Sequence, residues 1–281
     1  MRAAQMKKCG GGNTEAQKAR RQEQIAEAHQ DYIDTAQSYL DKARWSLKTL
    51  ENKGLSEVAQ GVNRLEIEAY MAHADRQIDQ IKRRVLEGET IPHDEKVFSI
   101  FEPHTEWIVK GKAGVPVELG LKVCVLEDQH QFLLHHQVME KQTDDQVAID
   151  MVSETKKRFP ALSTCSFDKG FHSPNNQKVL NERLDTVALP RKGKRSEKAK
   201  AHESSEAFQG ARKNHSAVES AIHVLEVHGL DRCPDKGLDG FKRYVALSIV
   251  ARNLQHLGAT LIGQEKQCLE RQRKRRLKQA A

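Results

Sequence analysis

Apolar residues recur at helical spacing through the first third of the chain and at strand spacing through the middle. From Ala16 to Leu50 the period is close to a heptad: Ile25, Tyr32 and Tyr39 are seven apart, with Ala36, Ala43 and Leu50 on the interleaved row. Asn52-Lys53-Gly54 then stops the helix, and Val58, Val62, Leu65, Ala69 and Ala72 continue through Ile78, Ile81 and Val85 along one face of a second. Two long amphipathic helices with a short connection predict an antiparallel hairpin over 16–87, following a basic, glycine-rich and disordered segment 1–15.

After the linker Gly88–His93 the period changes. Val97–Glu102 and Glu106–Val109 read as strands around Pro103, with a turn at 110–114. Val117–Leu126 and Phe132–Val138 read as a hairpin across 127–131. Asp144–Arg158 is helical, capped by Thr143 and closed by Pro160. Thr164–Ser166 leads to Phe167-Asp168-Lys169-Gly170, a strand that ends on a carboxylate and breaks into a glycine loop. Ser173-Pro174 opens the next helix, Thr186–Leu189 is a short strand, and 191–202 is a basic loop. Everything beyond about Ala207 reads as helix, most clearly Phe241–Ile262. The order is that of an α/β core with helical additions.

Charge narrows the function. The formal net charge is +7; residues 191–200 carry six basic and one acidic side chain, and 265–281 carry seven basic and two acidic. The basicity is thus concentrated in two patches, which favours a polyanionic partner such as DNA or RNA. Cys9, Cys124, Cys165, Cys233 and Cys268 are scattered without a CxxC pair, which argues against a zinc ribbon or a disulfide framework. There is no apolar run of membrane-spanning length and no signal-peptide stretch, so a cytoplasmic, nucleoid-associated protein is expected.

Within this frame Asp168 sits where a metal ligand belongs, on a rigid strand end facing a loop. Glu219, fifty-one residues on, lies on a helix whose buried stripe is Val218, Ala221, Ile222 and Leu225. Two such carboxylates suit magnesium or manganese, which take hard oxygen donors and keep waters elsewhere. Lys169 and His172 flank the acid, Arg191, Lys192 and Lys194 follow the next strand end, and Arg212, Lys213 and His215 precede Glu219. All are placed to contact phosphates, which positions a nucleic acid without reading its sequence. His130, His135 and His136 show no metal-ligand spacing, and no nucleophile elbow or P-loop is present.

The runs Lys96–Ile108 (KVFSIFEPHTEWI), Lys110-Gly111-Lys112, Val117–Gly120 (VELG), Phe167–Ser173 (FDKGFHS), Leu189–Gly193 (LPRKG) and His215–Ser220 (HSAVES) resemble bacterial insertion-sequence DDE transposases, above all the ISNCY group. The resemblance covers most of the chain, to about Ile262. It implies a ribonuclease-H-like catalytic domain over 94–262, a helical-hairpin insertion, C-terminal helices and a basic tail over 263–281. It also implies magnesium- or manganese-dependent cleavage and joining of double-stranded DNA, with element ends and target as partners, in a homodimer. Asp168 would be the second acid and Glu219 the third. In that family the first aspartate precedes the helical insertion, which here begins almost at Met1. The chain is therefore expected to be N-terminally incomplete, without the first strand, the first acid and the usual N-terminal DNA-binding segment. Glu102 is the one in-chain substitute. Two alternatives stay open: a catalytically dead remnant that binds only DNA or a full-length partner, and a host nuclease of the same fold.

Overall fold

The computed structural model describes residues 14–51, 57–92, 95–109, 117–193 and 196–280. The chain divides into two compact units, 1–120 and 121–281. The helix stop at 52–54, the turn at 110–114, Lys194 and nearly all of the N-terminal segment 1–15 lie outside the described residues.

The first unit holds two long helices, α1 (Glu15–Glu51) and α2 (Glu57–Ile81), the second ending in a π-type turn over Lys82–Leu86. One row of the heptad reading was one position out, while Ala36, on the other row, packs in the seam. Ile33, Ala36 and Leu40 of α1 close on Met71, Ala74, Ile78 and Ile81 of α2, while Tyr32 and Tyr39 are exposed. The physical reason is the hydroxyl: isoleucine and leucine can be desolvated completely, whereas a tyrosine at the seam keeps its polar tip in water. Three of the described side chains, Ile33, Leu40 and Ile78, are buried there. At about 1.5–3 kcal/mol each they make a thin seam.

Past the helices, Val97–Glu102 forms no strand, although its residues favour one. Its backbone is tied to side chains instead: the Val97 N–H donates to Gln80 Oε1 at 2.8 Å and the Glu102 N–H to Ser99 Oγ at 3.1 Å. Strands β1 (Glu106–Val109) and β2 (Val117–Gly120) pair antiparallel, Glu106 opposite Gly120.

The second unit begins with β3 (Lys122–Glu127) and β4 (Leu133–Met139), an antiparallel hairpin with Lys122 opposite Met139. The run expected as one strand from Val117 to Leu126 is therefore two strands in two sheets, broken at Leu121. Helix α3 (Asp144–Arg158) follows; Gln146 Oε1 accepts the Thr143 N–H at 2.9 Å, satisfying a donor at the helix start. Then come β5 (Thr164–Ser166), α4 (Pro174–Arg183) and β6 (Thr186–Ala188), with β5 and β6 parallel. Helix α5 (Glu197–Glu203) occupies part of the expected basic loop, its start capped by Ser196 Oγ. Helix α6 (Glu206–Leu225) and helix α7 (Gly237–Ala280) complete the chain. The basic segment 265–280 is a continuation of α7, in keeping with the helical pattern beyond Ala207.

Among the described residues the architecture is mixed helix and strand, with three two-stranded sheets. Helix α3 serves both sheets of the second unit. Ala148 and Val152 join Phe167, Leu180, Val187 and Leu189, while Val147 and Met151 join Cys124 and Met139. On β3 the side chains alternate as the pleat requires: Cys124 joins the α3 cluster, and Val123 and Val125 pack with Ala221, Leu225, Val245 and Ile249 of α6 and α7. Asn253 fixes α7 to the hairpin by bonding both the N–H and the C=O of Leu133, at 3.0 and 2.9 Å. Among the described residues no helix is long and apolar enough to cross a membrane.

Candidate metal and nucleic-acid site around Asp168

The alternation that buries β5 also presents the acid. Phe167 is buried in the α3 cluster, and Asp168 on the opposite side is exposed, its side chain 68% accessible. Cys165, in the strand itself, packs against the same cluster as Phe167. Burial pushes its thiol up to about 12, with the neighbouring Cys124 adding to the effect. Cys124 is likewise raised to about 12 by burial, with the charge of Asp144 adding to it. Both thiols are therefore poor nucleophiles at neutral pH.

The loop after Asp168 is fixed from several directions. The Phe171 N–H bonds the Asp168 carbonyl at 3.1 Å, closing a tight turn over Lys169–Phe171. Ser173 Oγ accepts the Asn176 N–H at 3.1 Å and caps α4. Asn176 is buried, and its amide donates to the carbonyls of Phe171 at 2.9 Å and Asp145 at 2.6 Å. That side chain ties the loop to the start of α3. Gly170 is the point of closest approach: a Cβ there would run into the Asp144 carboxylate.

Helix α6 brings the second half of the site. His215 Nδ1 lies 2.8 Å from Ser166 Oγ, and His215 Nε2 lies 3.2 Å from Asp168 Oδ1. A carboxylate only accepts, so Nε2 carries the proton toward Asp168, and in the neutral ring Nδ1 accepts from the Ser166 hydroxyl. Arg212 reaches the same strand, its Nη1 donating to the Phe167 carbonyl at 3.4 Å. Glu219 lies one turn beyond His215 on α6 and is exposed.

The remaining basic residues follow β5 and β6, except Lys213, which lies two residues before His215 and so about 200° round α6 from it. Lys169, Arg191, Lys192 and Lys213 are exposed. The Arg191 N–H donates to Glu203 Oε1 at 3.1 Å, which orders the strand exit. Lys192 acts on two neighbours. With Arg191 it helps hold His172 below the usual histidine range, the larger cause being desolvation. It also adds to the lowering of the Asp145 carboxyl, which is caused first by the Thr143 hydroxyl. His172 is thus biased toward the neutral form, and as a phosphate contact it offers a hydrogen bond rather than a charge.

The structure brings together Asp168, His215 and Arg212, and has Lys192 near His172 and Asp145; Glu219 follows one turn beyond His215 on α6 and makes no contact with Asp168 among the described residues. Lys194 lies outside the described residues. Glu102 belongs to the first unit, ends no strand, and faces His104 Nε2 at 3.6 Å. Sequence reasoning missed Ser166, Asn176 and Asp144. Ser166 was recoverable, since it lies two residues before Asp168 and so on the same side of an extended chain. Asn176 and Asp144 gave no such signal, because their roles depend on how α3 and α4 meet the loop.

Two carboxylates are hard donors of the kind that magnesium accepts while retaining several waters, so their chemistry fits such an ion. Among the described residues no group of three His, Cys, Asp or Glu side chains is arranged to hold a metal. The fit therefore rests on Asp168 and Glu219 together with substrate oxygens. No protein-family model, no curated protein and no solved structure matches the chain.

Proposed function

We propose that the chain is a DDE-type transposase, or a part of one, with a ribonuclease-H-like catalytic unit that cleaves and joins DNA with a divalent cation. The observation that carries this reading is the Asp168–His215 contact at 3.2 Å, one turn from Glu219 and bordered by Arg212, Lys169 and Lys192. Asp168 and Glu219 would hold magnesium or manganese, which when bound activates the attacking oxygen and stabilises the leaving one. His215 keeps the Asp168 carboxylate on one rotamer by a bond that is itself anchored on Ser166. The basic residues bind phosphates and set the register of the duplex. Asp168 and Glu219 correspond to two of the three acids that the resemblance implies.

A second reading, a protein that binds DNA without cutting it, is favoured by a separate feature. The last turns of α7 carry Arg271, Arg273, Lys274, Arg275 and Arg276, all exposed. That segment can bind a duplex whatever happens at Asp168. One experiment separates the two readings: incubation of the chain with a supercoiled plasmid and an element-end duplex, with and without magnesium or manganese. Metal-dependent nicking that Asp168→Ala eliminates supports the transposase. Salt-sensitive binding with no nicking in either metal supports the binding protein.

A further inference from the structure

A cavity of about 440 Å³ lies between α4, the exit of β6 and α5, within the range of about 300–1,000 Å³ that small-molecule sites occupy. Its walls are polar and carry both signs of charge. Gln177 and Asn181 stand one turn apart on α4, with Gln177 Nε2 donating to Asn181 Oδ1 at 3.2 Å. The pair therefore presents an acceptor at Gln177 Oε1 and a donor at Asn181 Nδ2. Arg191 stands at the β6 exit and Glu203 ends α5. Glu203 is only 9% accessible, and its Oε1 takes the Arg191 N–H at 3.1 Å. A carboxylate has about four lone-pair sites, so that one bond leaves acceptor capacity at the cavity wall. Leu189 adds apolar surface, and the His202 ring is braced edge-on by Phe208, their centroids 5.5 Å apart.

The cavity adjoins the Asp168 site. Strands β5 and β6 run parallel with Ser166 beside Ala188, so the exits that carry Asp168 and Arg191 lie at the same end of the sheet, in strands about 4.8 Å apart. His172, just after the Asp168 turn, is near enough to Arg191 and Glu203 to sense both charges. The geometry points to a pocket for one guanine base, carried by an unpaired nucleotide of a DNA strand whose phosphates lie on Lys169 and Lys192. Guanine is the one base with two donors side by side on its pairing edge, N1–H and N2–H₂, which a carboxylate such as Glu203 takes together. Its O6 and N7 accept, and Arg191 and the Asn181 amide donate. Adenine and cytosine set a ring acceptor beside their amino group, and thymine flanks its single donor with two carbonyls; each opposes the carboxylate. The His202 ring offers a flat surface for the base to stack on.

This inference rests on the nucleic-acid half of the reading above and not on the metal. Fluorescence anisotropy of the full chain in EDTA tests it, with duplexes that differ only in a one-nucleotide overhang: guanine, adenine, cytosine, thymine or hypoxanthine, which lacks the N2 amino group. The guanine overhang should bind at least about 5-fold tighter than the other three natural bases, and hypoxanthine should lose most of that gain. Glu203→Gln, which still accepts the Arg191 N–H, should abolish the difference between guanine and hypoxanthine while blunt duplex binds as before. Millimolar dGMP should compete with the guanine overhang and dAMP should not; dGMP that binds more tightly than the overhang duplex would overturn the assignment to a strand. Equal affinity for all overhangs, or a guanine preference that both hypoxanthine and Glu203→Gln leave intact, overturns the pocket. Metal-dependent nicking alongside equal affinities overturns the pocket and leaves the transposase reading standing, whereas a guanine preference without nicking in either metal does the reverse.

Discussion

His215 bridges two residues of one strand exit, accepting at Nδ1 from Ser166 Oγ at 2.8 Å and donating at Nε2 to Asp168 Oδ1 at 3.2 Å. The ring is only 16% accessible while the carboxylate it holds is 68% accessible. A half-buried, doubly bonded imidazole thus positions an exposed acid. His215→Ala should weaken manganese binding by about 10-fold, in line with the loss of other outer-shell partners of metal ligands. Electron paramagnetic resonance titration checks this. His215→Gln, whose amide nitrogen can reach the place of Nε2 and donate toward Asp168, should restore part of the loss.

Gly170 and Asp144 are a coupled pair. A methyl group at Gly170 meets the Asp144 carboxylate, so Gly170→Ala should destabilise the second unit by about 1–3 kcal/mol. In an Asp144→Ala background the same change should cost less than about 1 kcal/mol. Urea melts of the four proteins give the coupling energy directly.

Glu127 predicts an unusual pH response. Among the described residues neither carboxylate oxygen has a hydrogen-bond partner, and burial raises its pKa, with Arg252 and His256 only partly offsetting this. A folded-state pKa above the unfolded one gives stability that is present below the unfolded value, about 4.3, and lost as pH rises through the folded value. The ionised group therefore opposes folding at neutral pH. Glu127→Gln should raise the thermal midpoint at pH 7 and leave it unchanged at pH 3.5. Equal gains at both pH values would exclude the ionisation as the cause.

The exposed end of α7 predicts a salt signature. Replacing Arg271, Arg273, Lys274 and Arg275 by Gln should reduce the slope of log K against log salt for duplex DNA by up to about 3–4. Fluorescence anisotropy at a series of salt concentrations measures it. Asp168→Ala should leave that slope unchanged or slightly steeper.

Long periodic elements were legible in the sequence, and the features set by tertiary contact were not. The two first-unit helices, the helix at Asp144–Arg158 and the Ser173-Pro174 start all stand where their patterns place them. One row of the first unit's seam slipped by one residue because Tyr32 and Tyr39 mimic core positions in a binary pattern while keeping their hydroxyls in water. Val97–Glu102 has strand residues but no strand partner among the described residues, and a lone strand gains nothing from its propensity. At the site, Asp168, Glu219, Arg212 and His215 were visible as residue types. That His215 takes Asp168 and Ser166 on its two nitrogens depends on the packing of α6 across β5.

The central claim is that Asp168 and Glu219 hold one divalent ion between them. Manganese titration followed by electron paramagnetic resonance, on the native chain, Asp168→Asn, Glu219→Gln and the double variant, tests it most directly. The account predicts one saturable site in the native chain, lost in either single variant, with circular dichroism unchanged. Saturable binding of equal affinity in the double variant, or none in the native chain, would contradict it.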